Sequence, residues 1–278
     1  MTNLLKANFY KMKKNKFIWI ASILSVIVAI YYIRDNYNVY HDFLSYVDIN
    51  SLMFNYLPVY IIVSSILIST LLGFDYSNGS IKNKIVVGHS RFKIYISNLI
   101  STYLIILTIY LIYVLIICLS GIFLFKNLTF NFEFLLNIII LLLIILSYTS
   151  ISVFITMTIN NDIVSPVLNV LNSFILIIIS FILLSVLSEP KYLHSDNGIY
   201  INDAGIEVID TENPMYIKGS KRTIYEIIVN ILPTGEAFQK SRNRDIDTNS
   251  YSILCYSLCF IIITNTSGIF LFYNKELN

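Results

Sequence analysis

Few residues in this sequence combine a type and a spacing suited to covalent chemistry. The three histidines, His41, His89 and His194, fall in three separate polar segments, and no His-Glu-x-x-His pair is present. None of the nine glycines is followed by lysine, which removes the phosphate-binding loop of an ATP-hydrolysing domain. The Gly-x-Ser-x-Gly elbow of serine hydrolases is missing as well. Cys255 and Cys259 stand one helical turn apart, but no histidine is near them in sequence. With Cys118 they lie inside apolar runs, where packing explains a cysteine better than a metal or a disulfide. The chain is therefore expected to be neither a hydrolase nor an ATPase, with no catalytic residues, no metal and no cofactor.

What remains are groups suited to contact and conduction. The first set lies in the polar loop 74–93: Asp75, then Gly79-Ser80, then Lys82 and Lys84, then Ser90-Arg91. Ser80 reads as the cap of a short helix with Ile81, Ile85 and Val86 on one face and Lys82 and Lys84 on another. Such a helix, held between two membrane spans, can present its exposed side to a soluble subunit. The second set is polar residues inside apolar runs: Ser147, Thr149, Ser150, Ser152, Thr156 and Thr158, then Ser165, Asn169, Asn172 and Ser173, and later Asn265. They read either as hydrogen bonds between helices or as the weakly polar lining of a path for amphipathic cargo.

The elements that must position these groups follow from composition. Of 278 residues 56% are hydrophobic and only 13% charged, against roughly 25% in a soluble domain. The charges cluster, leaving uncharged runs at 17–33, 51–73, 94–125, 134–161, 163–187 and 251–274. Each meets the roughly 20-residue requirement of a helix crossing a ~30 Å hydrocarbon core. The runs are rich in Ile, Val and Tyr, which favour strands in water. Within lipid every backbone group must pair inside its own segment, so helices are expected, and the alternating pattern of a membrane barrel is missing. The expected fold is an all-α, multi-pass cell-membrane protein of six spans. An uncleaved first span is expected, since Lys6, Lys11, Lys13, Lys14 and Lys16 precede it and no small-x-small cleavage site follows. Tyr31, Tyr32, Tyr56 and Phe125, near span ends, read as interface anchors.

The basic excess of the first segment and of loop 74–93 puts both on the cytoplasmic side, and with six spans both termini follow. Three regions result: 1–187 with an amphipathic lead-in Leu4–Lys16 and five spans, an exterior insertion at 188–250, and 251–278 with the sixth span and a tail. The insertion carries ten acids against seven bases. It reads as a small α+β unit: a hairpin of Ile199–Ile201 and Ile206–Ile209 around Asn202–Gly205, then the apolar stretch Ile224–Leu232 ended by Pro233. That stretch is too short to cross and suits a helix lying in the outer interface or dipping into it. No span as drawn contains an ionisable residue, which disfavours an ion-coupled carrier. Asp162, in a short inside turn, is the nearest candidate, at the membrane edge. Solute movement then needs energy from a partner, or is passive.

The Gly73–Leu99 loop resembles the cytoplasmic loop after the second span in permease subunits of ATP-binding-cassette exporters of the type-2 class. The family's acidic residue, Gly-Thr, basic/apolar helix and Ser-Arg pair correspond to Asp75, Gly79-Ser80, Ile81–Val87 and Ser90-Arg91. Ser80 stands where Thr is commoner, keeping the hydroxyl, and Asn98 stands where a Lys often opens the third span. The lead-in helix, the six spans and the long fifth-to-sixth connection are similar to the family too. The resemblance implies that Asp75, Gly79, Ser80, Ile81, Lys82, Lys84, Ser90 and Arg91 couple the spans to a separate cytoplasmic ATPase subunit. It implies a second permease, identical or related, and export of a hydrophobic, peptide-like or antimicrobial compound. Ser165, Asn169, Asn172, Ser173 and Asn265 are the candidate path. No nucleic-acid partner is expected. The alternative is a non-transporting membrane sensor or immunity protein acting through residues 188–250.

Overall fold

The computed structural model describes residues 1–43, 47–159, 161, 163–202, 205–241 and 250–275. Asp162, the hairpin-turn residues 203–204 and the tail 276–278 lie outside them. The described elements are, in order, α1 (Thr2–Lys13), α2 (Lys16–Phe43), α3 (Ile49–Asn55), α4 (Leu57–Ser77), α5 (Ser80–Val86) and α6 (Arg91–Phe123). There follow α7 (Phe132–Ile159), α8 (Val164–Leu187), the strands β1 (Tyr192–Asn202) and β2 (Gly205–Glu212), then α9 (Ser220–Ile231), α10 (Pro233–Ser241) and α11 (Ser250–Asn274).

Among the described residues, six helical stretches are long and apolar enough to cross a bilayer: Lys16–Asn38, Ile49–Ser77, Arg91–Phe123, Phe132–Ile159, Val164–Leu187 and Ile253–Asn274. Each overlaps one of the six apolar runs, and the β-favouring composition has given way to helix as intramembrane pairing demands. Several helices run past the runs into charged ends, so Asp75, Arg91, Lys93 and Glu133 belong to their terminal turns. α4, α6 and α7 pack together at the centre, with α2 against α6, α8 against α4 and α11 against α7.

The second span is broken between α3 and α4, where Pro58 brings no N–H to the ladder. Three tyrosines repair the break. Tyr113 Oη donates to the Leu52 carbonyl at 2.6 Å, Tyr110 to Met53 at 2.7 Å and Tyr32 to Asn55 at 3.2 Å. Tyr60 Oη returns a bond to the Ile106 carbonyl of α6 at 2.5 Å. The Leu52, Met53 and Asn55 carbonyls stand at the C-terminal end of α3 and lack partners within their own helix. The expectation of interface anchors fails for Tyr56 and Phe125. Both are buried, because Tyr56 stacks in this ring cluster against Tyr110 and Phe125 packs edge-on to Tyr40.

Between α8 and α11, β1 and β2 form an antiparallel hairpin with Asn202 opposite Gly205 and Tyr192 opposite Glu212, its register shifting between His194 and Ile199. α9 and α10 then make a tight helical pair. Pro233 does more than end the apolar stretch: it opens α10, which packs among α3, α7, α8 and α9. Thr234 Oγ1 bonds to Ser180 Oγ at 2.6 Å and to the Leu176 carbonyl at 3.0 Å. Leu176 lies eleven residues before the end of α8, so α10 starts about 16 Å inside that end. Half of this helical pair is thus part of the bundle and not a surface insertion.

Candidate functional site

Asp75, near the C-terminal end of α4, is buried and ties three elements together. Lys11 of α1 bonds to its Oδ1, and Lys84 of α5 bonds to its Oδ2 at 3.2 Å. Lys84 Nζ also donates to Asn8 Oδ1 at 3.1 Å. Asn8 in turn donates to Asn98 Oδ1 at 2.9 Å and to Ser101 Oγ at 3.0 Å, both on α6. One carboxylate and two ammonium groups therefore join α1, α4 and α5, and the amides carry the network into the third span. Charge-assisted bonds at a nearly dry position hold such elements as one body. Tyr76 extends the attachment, donating to the Met157 carbonyl of α7 at 2.8 Å.

Two glycines in the left-handed region bound α5: Gly79 at φ 63° before it and Gly88 at φ 95° after it. Gly79 is the capping residue, whereas Ser80, expected in that role, is the first helical residue. Ile81 is buried and Ile85 half-buried, as the amphipathic pattern requires. Val86, expected on that apolar face, is instead 85% exposed, and Val87 beside it is 76% exposed. Lys82 and Asn83 are exposed too. The outward surface of α5 is thus a small apolar tip flanked by one lysine, while Lys84 points inward.

Ser90 caps α6 by accepting from the Lys93 N–H at 3.4 Å. The Arg91 guanidinium turns to the C-terminal end of α11, donating to the Phe272 and Tyr273 carbonyls at 3.1 and 2.9 Å and also to that of Lys275. A cation there satisfies orphan carbonyls and favours the negative end of the helix. Lys275 Nζ reaches the Thr158 carbonyl at the end of α7, and its burial holds its pKa below the ordinary lysine value. α1, α5, the start of α6 and the ends of α7 and α11 consequently meet at one end of the bundle.

The polar set of the spans divides differently. Ser165, Asn169 and Ser173 lie along α8 and are fully buried. Asn169 Nδ2 bonds to Thr156 Oγ1 at 2.8 Å, and Ser173 Oγ to Tyr148 Oη at 2.8 Å. Asn172 is half-buried on the same helix. Asn265 bonds from α11 to Ser150 Oγ of α7 at 2.9 Å. The structure thus brings the α8 residues together against α7 and sets Asn265 on another face of α7. Ser152 Oγ, Ser165 Oγ and Asn169 Oδ1 have no hydrogen-bond partner among the described residues.

Three contributors escape the sequence reading. Asn8 and Lys11 sit on α1, and the signal for Asn8 was its place in the buried i, i+4 stripe Leu4, Asn8, Met12. Glu236 of α10 is 1% exposed, with Ser257 Oγ of α11 at 2.7 and 2.9 Å from its two oxygens. Burial pushes its pKa well above the ordinary carboxylate value, the serine bond offsetting this in part. Pro followed by Glu three residues later is a helix-start signature, and that was the available signal for α10.

Compared with known families, residues 4–186 match the model described as ABC-2 family transporter protein, which is well over half of the chain. No curated protein matches the sequence.

Proposed function

The chain belongs to the ABC-2 transporter family and is a multi-pass membrane permease subunit of that kind; from this premise we propose that it exports a hydrophobic, peptide-like or antimicrobial compound, driven by a separate ATPase docked on α5. Family membership implies partnership with an ATPase subunit. The observation that carries the docking site is the rigid attachment of α5 to the spans beneath an uncovered tip. Val86 and Val87 project outward, while Lys84 is locked through Asp75 to α1 and α4. A push on that tip is delivered to the second and third spans without slack.

The cytoplasmic side is assigned to the end that gathers α1 and α5, because the basic excess of both segments lies there. Both termini are then inside, with the β hairpin and the α9–α10 pair approached from outside. Asp75, Gly79, Ser80, Ile81, Lys84, Ser90 and Arg91 act in coupling by fixing α5 and the start of α6, and Lys82 by facing the ATPase. The α7–α8 seam around Ser165, Asn169 and Ser173 is our candidate for the path, with Asn172 and Asn265 beside it. Its unpartnered oxygens supply hydrogen-bond acceptors that water or cargo would meet if the helices part. Two copies, or one copy and a related permease, complete the assembly.

The test is the double substitution Val86→Asp/Val87→Asp in chain co-expressed with its ATPase. Two carboxylates on the tip should abolish co-purification of the ATPase and compound-dependent ATP hydrolysis, while the permease itself stays folded. Full retention of both would refute the docking surface.

A further inference from the structure

A groove of about 600 Å³ runs between α1, α2 and α6. Its walls include Phe9 of α1, Trp19 of α2, and Leu104, Thr108 and Ile112 of α6, with Lys13 at its α1 rim. The polar groups in the walls are already spent inside their own helices. Thr108 Oγ1 donates to the Leu104 carbonyl at 2.6 Å, and Ser22 Oγ to that of Ile18 at 2.9 Å. The groove therefore asks for hydrocarbon and offers nothing to a polar ligand. From Leu104 to Ile112 it descends eight residues, about 12 Å. That is most of the ~15 Å depth of one leaflet's hydrocarbon. Trp19 Nε1 donates to the Lys13 carbonyl at 3.4 Å, fixing the indole at the corner between α1 and α2.

The rim carries one cation, Lys13, in a segment rich in lysine. The first acid in the sequence is Asp35, whereas Lys6, Lys11, Lys13, Lys14 and Lys16 precede it. Lys11 is neutralised by Asp75, and Lys14 lies over the Tyr10 ring at 4.3 Å. Lys13 and Lys16 are exposed, and the Lys13 ammonium has no partner among the described residues. An apolar slot one leaflet deep beneath an unneutralised ammonium is complementary to a single molecule with an acyl chain and an anionic head.

We propose that this groove is a binding site for one anionic phospholipid, its acyl chain along α6 and its phosphate on Lys13. α1 is also joined to α5 through Lys11, Asp75 and Lys84, so the lipid seats the helix on which the coupling network rests. The site does not depend on how the ATPase docks, and its test is independent of ATP hydrolysis.

Trp19 is the single tryptophan of the chain and lines the groove, so its fluorescence reports occupancy directly. The full chain is reconstituted in phosphatidylcholine bilayers doped with acyl-brominated phosphatidylglycerol or acyl-brominated phosphatidylcholine. Half-maximal quenching is expected at a several-fold lower mole fraction of the anionic lipid. Lys13→Gln should weaken that preference roughly fivefold, the scale of one basic residue at an anionic surface. Lys6→Gln, which removes the same charge from α1 away from the groove, should leave it unchanged. Equal quenching by the two lipids would overturn the proposal. So would an equal loss in the two variants, which would mean diffuse attraction and no site.

Discussion

Replacing Asp75 by asparagine removes one charge and keeps the shape of the side chain, so it isolates the electrostatic role of the network. The Asp75 side chain is 5% exposed and that of Lys84 13%, whereas Lys11 is 37% exposed. Removing one partner of a buried pair costs about 3–5 kcal/mol, because the other charge is left without compensation. That figure applies to Lys84 alone, since Lys11 can turn to water and its pair is worth at most about 1 kcal/mol. Lys84 also keeps its bond to Asn8 Oδ1. A net loss of about 2–3 kcal/mol is expected, or roughly 5–10 °C in melting temperature at about 2–4 °C per kcal/mol. Heating detergent-solubilised protein and following its monodisperse fraction by size-exclusion chromatography measures the shift. The double variant Asp75→Asn/Lys84→Met, which leaves no buried unpaired ammonium, should recover more than half of the loss. A melting temperature within 2 °C of the parent for Asp75→Asn, or no recovery in the double variant, would refute the reasoning.

Three other perturbations follow from the same geometry. Tyr113→Phe leaves the Leu52 carbonyl without its donor at the α3–α4 break and should destabilise by about 1–2 kcal/mol in the same heating assay. Gly235→Ala should lower the melting temperature, since a Cβ there meets the backbone carbonyl of Val229; the overpacking, about 1–3 kcal/mol, exceeds the ~1 kcal/mol helix advantage of alanine. Glu236 has a raised folded-state pKa, so the folded chain binds more protons than the unfolded one above the ordinary value of 4.5. Its contribution to stability is therefore greatest in acid and declines as pH rises from that value; Glu236→Gln should flatten this part of the stability–pH profile.

The bundle was legible because charge clustering marks span ends in a chain that must bury its backbone in lipid. The runs around Ile62 and Ile140 are long enough to cross as helices, whereas the caps of α5 were not legible: Gly79 takes the role expected of Ser80. What stayed hidden was direction. Lys84 and Arg91 look like Lys82 in sequence, yet one faces Asp75, another caps α11, and only Lys82 is exposed. Seven-residue periodicity resolves which side of α5 is apolar but not where its last turn points, so Val86 was misplaced. The tyrosines gave no hint of their partners because the carbonyls they serve are orphaned only once Pro58 breaks the second span. Glu236 escaped notice for a related reason. A short polar helix next to a long apolar one reads as surface until its contacts with α3 and α8 are seen.

The central claim is that ATPase force enters through the exposed end of α5. A photo-reactive phenylalanine analogue placed at Val86, and separately at Phe130 in the connection at the far end of α6, tests it in the intact co-expressed complex. Both positions are open, at 85% and 75% exposure. The account predicts a covalent adduct with the ATPase from position 86 and none from position 130. An adduct from position 130, or none from position 86 while the ATPase still co-purifies, would contradict it.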